Sequence, residues 1–219
     1  MKETIGTDEL LARFAKIYTG AISDSLDQLG YKNQVLPKEL KGLTPDANLY
    51  GTALTVRGEA THSEDPEVVF VPMLKILGDV KKNDVVITQP HDDTCSHLGE
   101  LSAAAIKARG GAGAVIYGGV RDVDNIHKLG LPVFHLYTTP ADILGRWCLK
   151  EYKVPIRIKN VAIYPVDIVA GEIFRNKQAI SLVVKCPGTS RRLDRCRDAP
   201  GRPAASTLLR SCSYRCCLY

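Results

Sequence analysis

The sequence predicts a single α/β domain in which helices cover a β-sheet. The middle of the chain alternates short apolar runs with amphipathic runs, and glycines stand between several of them. This alternation of strand and helix signals is typical of α/β proteins. The chain has 219 residues, 45% of them hydrophobic, which is enough for one ordinary domain with a well-formed core.

Two amphipathic helices are predicted near the N-terminus. Thr7, followed by two acids, is typical of a helix cap and first turn. The apolar positions are Leu10, Leu11, Phe14 and Ile17 in the first helical pattern and Ile22, Leu26 and Leu29 in the second, which ends at Gly30. A short apolar run at 84–88 then predicts a buried strand.

The central part of the chain predicts helix, strand, helix and strand in turn. Residues 99–108 have the spacing of one helical face, and Gly110 would end that helix. Its predicted apolar face consists of Leu101, Ala104, Ala105 and Ala108. Residues 114–117 predict a strand buried on both sides. A second helix would begin at Arg121 and Asp122, with Val123, Ile126 and Leu129 as its apolar face, and a strand at 131–136 would follow.

The pattern with the most functional information is Gly99-Glu100, then twenty residues, then Arg121-Asp122. Such a spacing is about one helix, one turn and one strand, so the chain would return to the same edge of the sheet. An acid, a permanent cation and a hard oxygen ligand would meet there, which suits a site for an anionic keto acid. An ion pair on a solvated helix start is the alternative interpretation of this spacing.

Glycines and helix starts support the first interpretation. Gly118 and Gly119 precede the Arg-Asp pair and would let a ligand approach the backbone without meeting a Cβ. Helix N-termini attract carboxylates through their N–H groups and partial positive charge. Asp122, alone or with Glu100 through water, offers the oxygen ligands that Mg²⁺ or Mn²⁺ prefers.

Five segments, in this order, resemble the RraA-like family, which includes 4-hydroxy-4-methyl-2-oxoglutarate aldolases and the regulator of ribonuclease E activity A. They are residues 20–26, 96–103, 118–122, 131–134 and 139–142. The similarity extends from about Leu10 to Glu172. It implies a swivelling β/β/α fold and assembly as a homotrimer, or as a hexamer made of two trimers, with sites between subunits.

The resemblance also implies an activity. Aldolases of this family are divalent-metal enzymes that cleave 4-hydroxy-2-oxo acids to pyruvate, and they often decarboxylate oxaloacetate as well. The expected cofactor is therefore Mg²⁺ or Mn²⁺, and the expected partner is a small 2-oxo acid. By this resemblance Asp122 matches the metal ligand and Arg121 the substrate-binding arginine, while Gly99, Glu100, Leu101 and Ser102 match the loop and helix start that hold the pyruvate carboxylate. Glu100 is our candidate for the base that takes the C4 hydroxyl proton, directly or through a metal-bound water.

A non-enzymatic function is the alternative. Some RraA-like proteins bind and inhibit a ribonuclease through the surface of the trimer. The intact Gly99-Glu100 and Arg121-Asp122 pairs distinguish the two functions, since surface binding does not need them.

Other polar residues receive simpler interpretations. His91, Asp92, Asp93 and His97 could form a second metal cluster, but we favour a polar loop. We interpret Cys95 and Cys148 as ordinary reduced thiols, and Asp142 as part of a turn or subunit contact.

Residues 186–219 differ in composition from residues 1–185, which we assign to the RraA-like aldolase domain. Late strands are predicted at 154–158 and 161–172, and residues 179–185 are compatible with one more. The tail beyond contains seven arginines, no lysine and five of the seven cysteines. Irregular cysteine spacing and few aromatic residues argue against a zinc-binding or nucleic-acid-binding tail. We expect a frameshifted or alternatively spliced segment that is largely disordered.

The N-terminal residues lack the apolar run of a signal peptide, and no stretch is long enough to span a membrane. We therefore expect a cytoplasmic protein with neither a membrane nor a nucleic acid as its partner.

Overall fold

The computed structural model describes residues 6–44, 48–173 and 179–184. They form five helices and eleven strands. The helices are α1 (Thr7–Phe14), α2 (Thr19–Gln28), α3 (Pro66–Asp79), α4 (Glu100–Ala108) and α5 (Val123–Leu129). The strands are β1 (Lys41–Gly42), β2 (Asn48–Ala60), β3 (Asp84–Gln89), β4 (Ser96–Leu98), β5 (Gly113–Val120), β6 (Val133–Thr138), β7 (Trp147–Tyr152), β8 (Ile156–Ile158), β9 (Val161–Ile163), β10 (Ile168–Ile173) and β11 (Ala179–Val184).

Nine of these strands form one mixed sheet. Its main order is β1-β6-β5-β3-β2-β10-β11, with β4 paired to β5 and β7 paired to β2. The central strands β2, β3, β5 and β6 run parallel, and β4 continues the pairing of β5 beyond the end of β3. Parallel strands buried on both sides are nearly continuous apolar runs, as β3 and β5 are.

Two hydrophobic clusters cover the two faces of the sheet. Helices α3, α4 and α5 pack on one face through Val69, Ile76, Ala103, Ile106 and Ile126. The β8–β9 hairpin packs on the other face, where Val85, Ile87, Val115 and Phe134 meet residues of the hairpin. The layers are thus hairpin, sheet and helices, and the predicted β/β/α arrangement is confirmed.

The N-terminal helices form a third cluster. Leu10, Leu11 and Phe14 of α1 and Ile22 and Leu26 of α2 pack with residues of β10. These apolar positions agree with the sequence prediction, but the cap predicted at Thr7 is wrong. Gly6 is the N-cap of α1, and Thr7 is its first helical residue.

The predicted buried face of α4 is wrong. The structure buries Ala103 and Ile106, whereas Leu101 is 84% exposed. Ala104 and Ala105 are half-buried, and Ala108 is exposed. Burying the larger Ile106 removes more apolar surface from water than burying Ala105 does, and this difference sets the rotation of the helix.

The glycines predicted to end α4 and α5 agree with the structure, whereas α5 begins at Val123 and not at Arg121 as predicted. Gly110 follows the C-cap residue of α4, Gly130 is the C-cap residue of α5, and both are left-handed, with φ of 79° and 65°. This is the conformation that a helix C-terminus requires and that glycine adopts without strain. The strand with which residues 179–185 are compatible is also present, as β11.

The fold brings the carboxyl ends of three parallel strands to one edge of the sheet. Strand β4 ends at Leu98, β5 at Val120 and β6 at Thr138. Ligands in α/β proteins characteristically bind in the crevice outside such strand ends. The Gly99-Glu100 and Arg121-Asp122 pairs follow β4 and β5 directly, so both lie at this edge.

The predicted disordered tail, residues 186–219, and the domain boundary before it lie outside the described residues. Among the helices that the structure describes, none has the length and apolar content needed to cross a membrane.

Candidate functional site

Arg121 and Asp122 form the turn between β5 and α5. The Arg121 N–H donates to the carbonyl of Leu98 at 3.0 Å, which joins the end of β5 to the end of β4. Asp122 has a left-handed backbone, with φ 57° and ψ 38°, and is the N-cap residue of α5. Aspartate is one of the few side chains that tolerate this conformation, so the turn can be tight without glycine.

The Asp122 carboxylate contacts the start of the neighbouring helix. Its Oδ2 accepts a hydrogen bond from the Glu100 N–H at 3.1 Å, at the N-terminus of α4. It also lies 3.7 Å from Arg121 Nε. A Cβ added to Gly99 would come within 2.8 Å of Asp122 Oδ2 and 3.1 Å of Arg121 Nε. Gly99 is therefore the residue whose missing side chain makes room for this acid.

An open depression of about 400 Å³ lies beside the Arg-Asp pair. It is lined by Val120, Arg121, Asp122, Val123, Thr138, Thr139 and Pro140. On the β6 side of the same corner, Asp142 Oδ1 lies 3.2 Å from Arg121 Nη1. This ion pair was not predicted, because it links segments twenty-one residues apart and leaves no local signal, and the sequence indicates only a turn or subunit contact for Asp142.

The remaining predicted site residues lie at the start of α4. Glu100 Oε2 accepts a hydrogen bond from Asn125 Nδ2 at 2.7 Å, which places its carboxylate between α4 and α5. Leu101 is exposed, and Ser102 lines a small inner cavity beneath α4 together with His97 and Trp147. The first-turn N–H groups of α4 have no partners within the helix, so Leu101 and Ser102 offer backbone donors at this corner.

The space beside Gly118 and Gly119 is filled by protein, and the expectation of a ligand there is wrong. Both glycines lie within β5 rather than in the turn after it. A Cβ on Gly118 would come within 2.5 Å of His97 Nδ1, and one on Gly119 within 2.5 Å of the Tyr137 ring. These glycines make room for buried side chains.

His97 belongs to a buried hydrogen-bond network that the sequence analysis resolved only in part. Its Nδ1 accepts a hydrogen bond from the Gly119 N–H at 3.2 Å, so the proton of the neutral imidazole lies on Nε2. That Nε2 donates to Asp92 Oδ2 at 3.1 Å, and the Cys95 thiol donates to the same oxygen at 3.3 Å. The edge of the Trp147 ring closes the network, with ring centroids 5.1 Å apart.

The environment sets the protonation of this network. Burial lowers the pKa of His97, against the opposing effect of Asp92. Burial, and then the hydrogen bond to Asp92, raises the pKa of the Cys95 thiol to about 12. Burial acts to raise the pKa of Asp92 as well, but hydrogen bonds from Thr94 and Cys95 outweigh it and the net pKa is lowered. The stable form is thus a neutral imidazole and thiol around one carboxylate.

The ligand atoms of Asp92, Cys95 and His97 lie within 4.8 Å of one another, which is close enough for a metal site. Coordination through His97 Nε2 would require its proton to move to Nδ1, where it would face the Gly119 N–H. The thiol would also have to ionise against its raised pKa. A buried hydrogen-bond network explains this cluster better than a metal does, and the predicted polar loop is wrong for His97, which lies in β4 with its side chain buried. The other two predicted members, His91 and Asp93, are exposed.

Comparison with known proteins identifies the family. The family model RraA-like, described as Aldolase/RraA, matches residues 19–173, which is more than half of the chain. The chain belongs to the RraA-like family. Among curated RraA-like relatives, the "Putative 4-hydroxy-4-methyl-2-oxoglutarate aldolase" of Halalkalibacterium halodurans is 28% identical over 165 residues, covering 75% of this chain and 73% of that protein.

Solved structures support the same RraA-like fold. RraAS2 of Streptomyces coelicolor, described as an unusual member of the RNase ES inhibitor RraA protein family, superposes with a TM-score of 0.74 at 21% identity, covering 98% of this chain and 94% of that one. A protein described among "novel cellulases from microbes associated with the gut ecosystem" superposes with a TM-score of 0.81 at 26% identity, covering 98% of this chain and 86% of that one. The fold predicted from the sequence is therefore confirmed.

Proposed function

We propose that this RraA-like protein is a divalent-metal-dependent lyase that releases pyruvate from 4-hydroxy-2-oxo acids of the 4-hydroxy-4-methyl-2-oxoglutarate type, and that it also decarboxylates oxaloacetate. The observation that carries the proposal is the convergence of Arg121, Asp122 and the N-terminus of α4 at one corner. The name of the Halalkalibacterium halodurans relative is consistent with it.

The carboxylate oxygens of Asp122 are suitable ligands for Mg²⁺ or Mn²⁺. Mg²⁺ and Mn²⁺ commonly use one or two protein carboxylates and complete their shell with water and substrate oxygens. Asp122 is 41% exposed and borders an open depression, and Gly99 keeps its carboxylate clear. Asp122 would hold the ion, which when bound supplies a Lewis acid for the carboxylate and 2-oxo group of the substrate.

Arg121 would bind the anionic end of the substrate. Its guanidinium is charged at every working pH and can donate two parallel hydrogen bonds to a carboxylate. Cleavage of the C3–C4 bond leaves the electron pair on the pyruvate half as an enolate. A fixed cation beside that oxygen stabilises the developing charge more than it stabilises the ground state. Loss of CO₂ from oxaloacetate forms the same enolate, so one site serves both reactions.

Glu100 is the proposed base for the C4 hydroxyl in the aldol cleavage. Its carboxylate is fixed beside α5 by Asn125, and its own N–H binds Asp122. Backbone N–H groups of Leu101 and Ser102 would hold the pyruvate carboxylate at the helix start, where the partial positive charge favours an anion.

We also propose that the functional unit is a homotrimer or hexamer with sites between subunits. The depression is open on one side, and Leu101, an apolar side chain beside the site, is 84% exposed. A neighbouring subunit would cover both features.

A coupled assay for pyruvate tests the proposal. Oxaloacetate and 4-hydroxy-4-methyl-2-oxoglutarate would be supplied with Mg²⁺ or Mn²⁺, and parallel reactions would contain a chelator. We expect turnover that requires metal and is lost in Asp122→Ala and Arg121→Ala. Asp124→Asn is the matched control, because Asp124 is an exposed acid in the first turn of α5. A folded, metal-loaded protein that is inert to both substrates would favour the ribonuclease-binding alternative.

A further inference from the structure

Arg121 lies between two carboxylates. Its Nη1 is 3.2 Å from Asp142 Oδ1, and its Nε is 3.7 Å from Asp122 Oδ2. Both distances are those of ion pairs, and the contact with Asp142 is the shorter one. The guanidinium therefore lies closer to the Asp142 carboxylate than to that of Asp122.

Asp142 itself is fixed by its own segment. Its Oδ1 accepts a hydrogen bond from the Ile143 N–H at 2.8 Å. Its backbone carbonyl accepts one from Arg146 Nη1 at 3.1 Å. The preceding residue, Ala141, accepts a backbone hydrogen bond from Ser96 at 3.0 Å, which ties this segment to β4. The carboxylate thus has a defined position relative to the strands that carry the site.

Whether the Arg121 guanidinium pairs with Asp142 or with Asp122 determines whether the Asp122 carboxylate is available to a metal ion. A cation ligand must keep its carboxylate oxygens available, and a guanidinium bonded to them competes directly with a metal ion. Asp122 is the other acid with which Arg121 forms an ion pair, and its carboxylate lies less than 1 Å beyond hydrogen-bond distance.

We propose that Asp142 is a positioning residue that holds the Arg121 guanidinium away from Asp122 and so keeps Asp122 free to bind a divalent cation. This inference rests on the proposed function of the site, because it concerns the metal that the lyase reaction would use. Asp142 touches neither metal nor substrate in this scheme, and its effect passes through Arg121.

Manganese titration of the full chain tests the inference, with Mn²⁺ binding followed by electron paramagnetic resonance of the free ion. The principal variant is Asp142→Asn, which keeps an oxygen for the Ile143 N–H but removes the charge. We expect about fivefold weaker Mn²⁺ binding, the effect of a competing ion pair worth about 1 kcal/mol. Asp142→Glu, which retains the charge, should recover most of the affinity.

Two comparisons separate positioning from simple loss of charge. Asp124→Asn removes the same charge from an exposed position in the first turn of α5 and should change the affinity by less than about twofold. In an Arg121→Met background the competitor is gone, so Asp142→Asn should have no more effect than Asp124→Asn has. An equal loss of affinity in both backgrounds would overturn the inference, because the effect would then be electrostatic only.

The outcomes also separate this inference from the proposed function. If the Mn²⁺ affinities of the wild type and the variants follow the predicted order but the wild type releases no pyruvate, the positioning role is supported and the proposed lyase activity is contradicted. Turnover with unchanged Mn²⁺ affinity in Asp142→Asn would contradict the positioning role alone. Absence of Mn²⁺ binding by the wild-type protein at millimolar concentration would overturn both.

Discussion

Replacing Gly118 by alanine is the sharpest test of how β5 is packed. The new Cβ would lie within 2.5 Å of His97 Nδ1, 2.9 Å of His97 Cε1 and 2.9 Å of Pro90 Cγ. Real Cβ atoms do not approach other heavy atoms this closely, so the imidazole would have to move. The His97 side chain is fully buried and is held by Gly119, Asp92 and the Trp147 ring. Any movement therefore breaks the contacts that hold it.

The cost follows from those contacts. Overpacking a tight core costs about 1–3 kcal/mol. Weakening the two hydrogen bonds of His97 adds roughly 1 kcal/mol each. We therefore expect Gly118→Ala to lower the free energy of unfolding by about 3–5 kcal/mol, which corresponds to a Tm lower by roughly 6–20 °C in a protein of this size.

Urea unfolding followed by tryptophan fluorescence is the assay, because Trp147 is the one tryptophan in the sequence and packs against His97. Gly78→Ala is the matched control. Gly78 lies in α3, and a Cβ there meets nothing within 4 Å, so alanine should stabilise the helix by up to about 1 kcal/mol. Equal stability of Gly118→Ala and the wild type would refute the packing argument and restore the interpretation of Gly118 as space for a ligand.

Three further predictions concern the site and the buried network. Gly99→Ala should change the free energy of unfolding by less than about 0.5 kcal/mol, because the new Cβ meets the half-exposed side chains of Arg121 and Asp122, which can shift toward solvent. The same substitution should weaken Mn²⁺ binding by displacing Asp122, and a urea titration and a manganese titration check the two parts. Burial lowers the pKa of His97 and His135, so the unfolded chain binds more protons below their ordinary pKa of about 6.5, and the free energy of unfolding should fall between about pH 7 and pH 5. A pH-independent urea midpoint over that range would contradict this. Cys95, with its pKa raised to about 12 by burial, should resist iodoacetamide in the native protein and react in urea, as peptide mass spectrometry would reveal.

The sequence was sufficient to predict the elements that local signals define. Gly110 and Gly130 mark the ends of two helices because a helix C-terminus commonly needs a left-handed residue, and glycine adopts that conformation without strain. The meeting of Glu100 with Asp122 was also predictable, since a helix and a parallel strand between them return the chain to the same edge of the sheet. The contact between Glu100 and Asp122 depends only on the order of strands and helices, which the alternating strand and helix patterns of the sequence predict.

The errors have a common physical origin in contacts between distant segments. In α4 the spacing of small alanines fits two adjacent faces about equally, and only packing against the sheet selects the face of Ile106 over that of Leu101. The pair Gly118-Gly119 is equally ambiguous, because a missing Cβ can accommodate a ligand or a buried ring. Asp142 was missed for the same reason: its partner Arg121 is near in space and not in sequence.

Contacts between distant segments also explain how the partly exposed side chains of Arg121 and Asp122 are held in place. Besides the strand pairing of β4 with β5, a hydrogen bond from Gly119 to the His97 imidazole and one from Arg121 to the Leu98 carbonyl join the two segments. Because the buried His97 side chain is fixed by Asp92, the backbone that carries Arg121 is anchored to the interior of the protein. A binding site needs side chains supported by rigid neighbours, and here the support is the buried imidazole rather than the exposed ion pairs. Gly118 therefore serves the proposed site indirectly, because its missing side chain makes room for the His97 ring that fixes the strand.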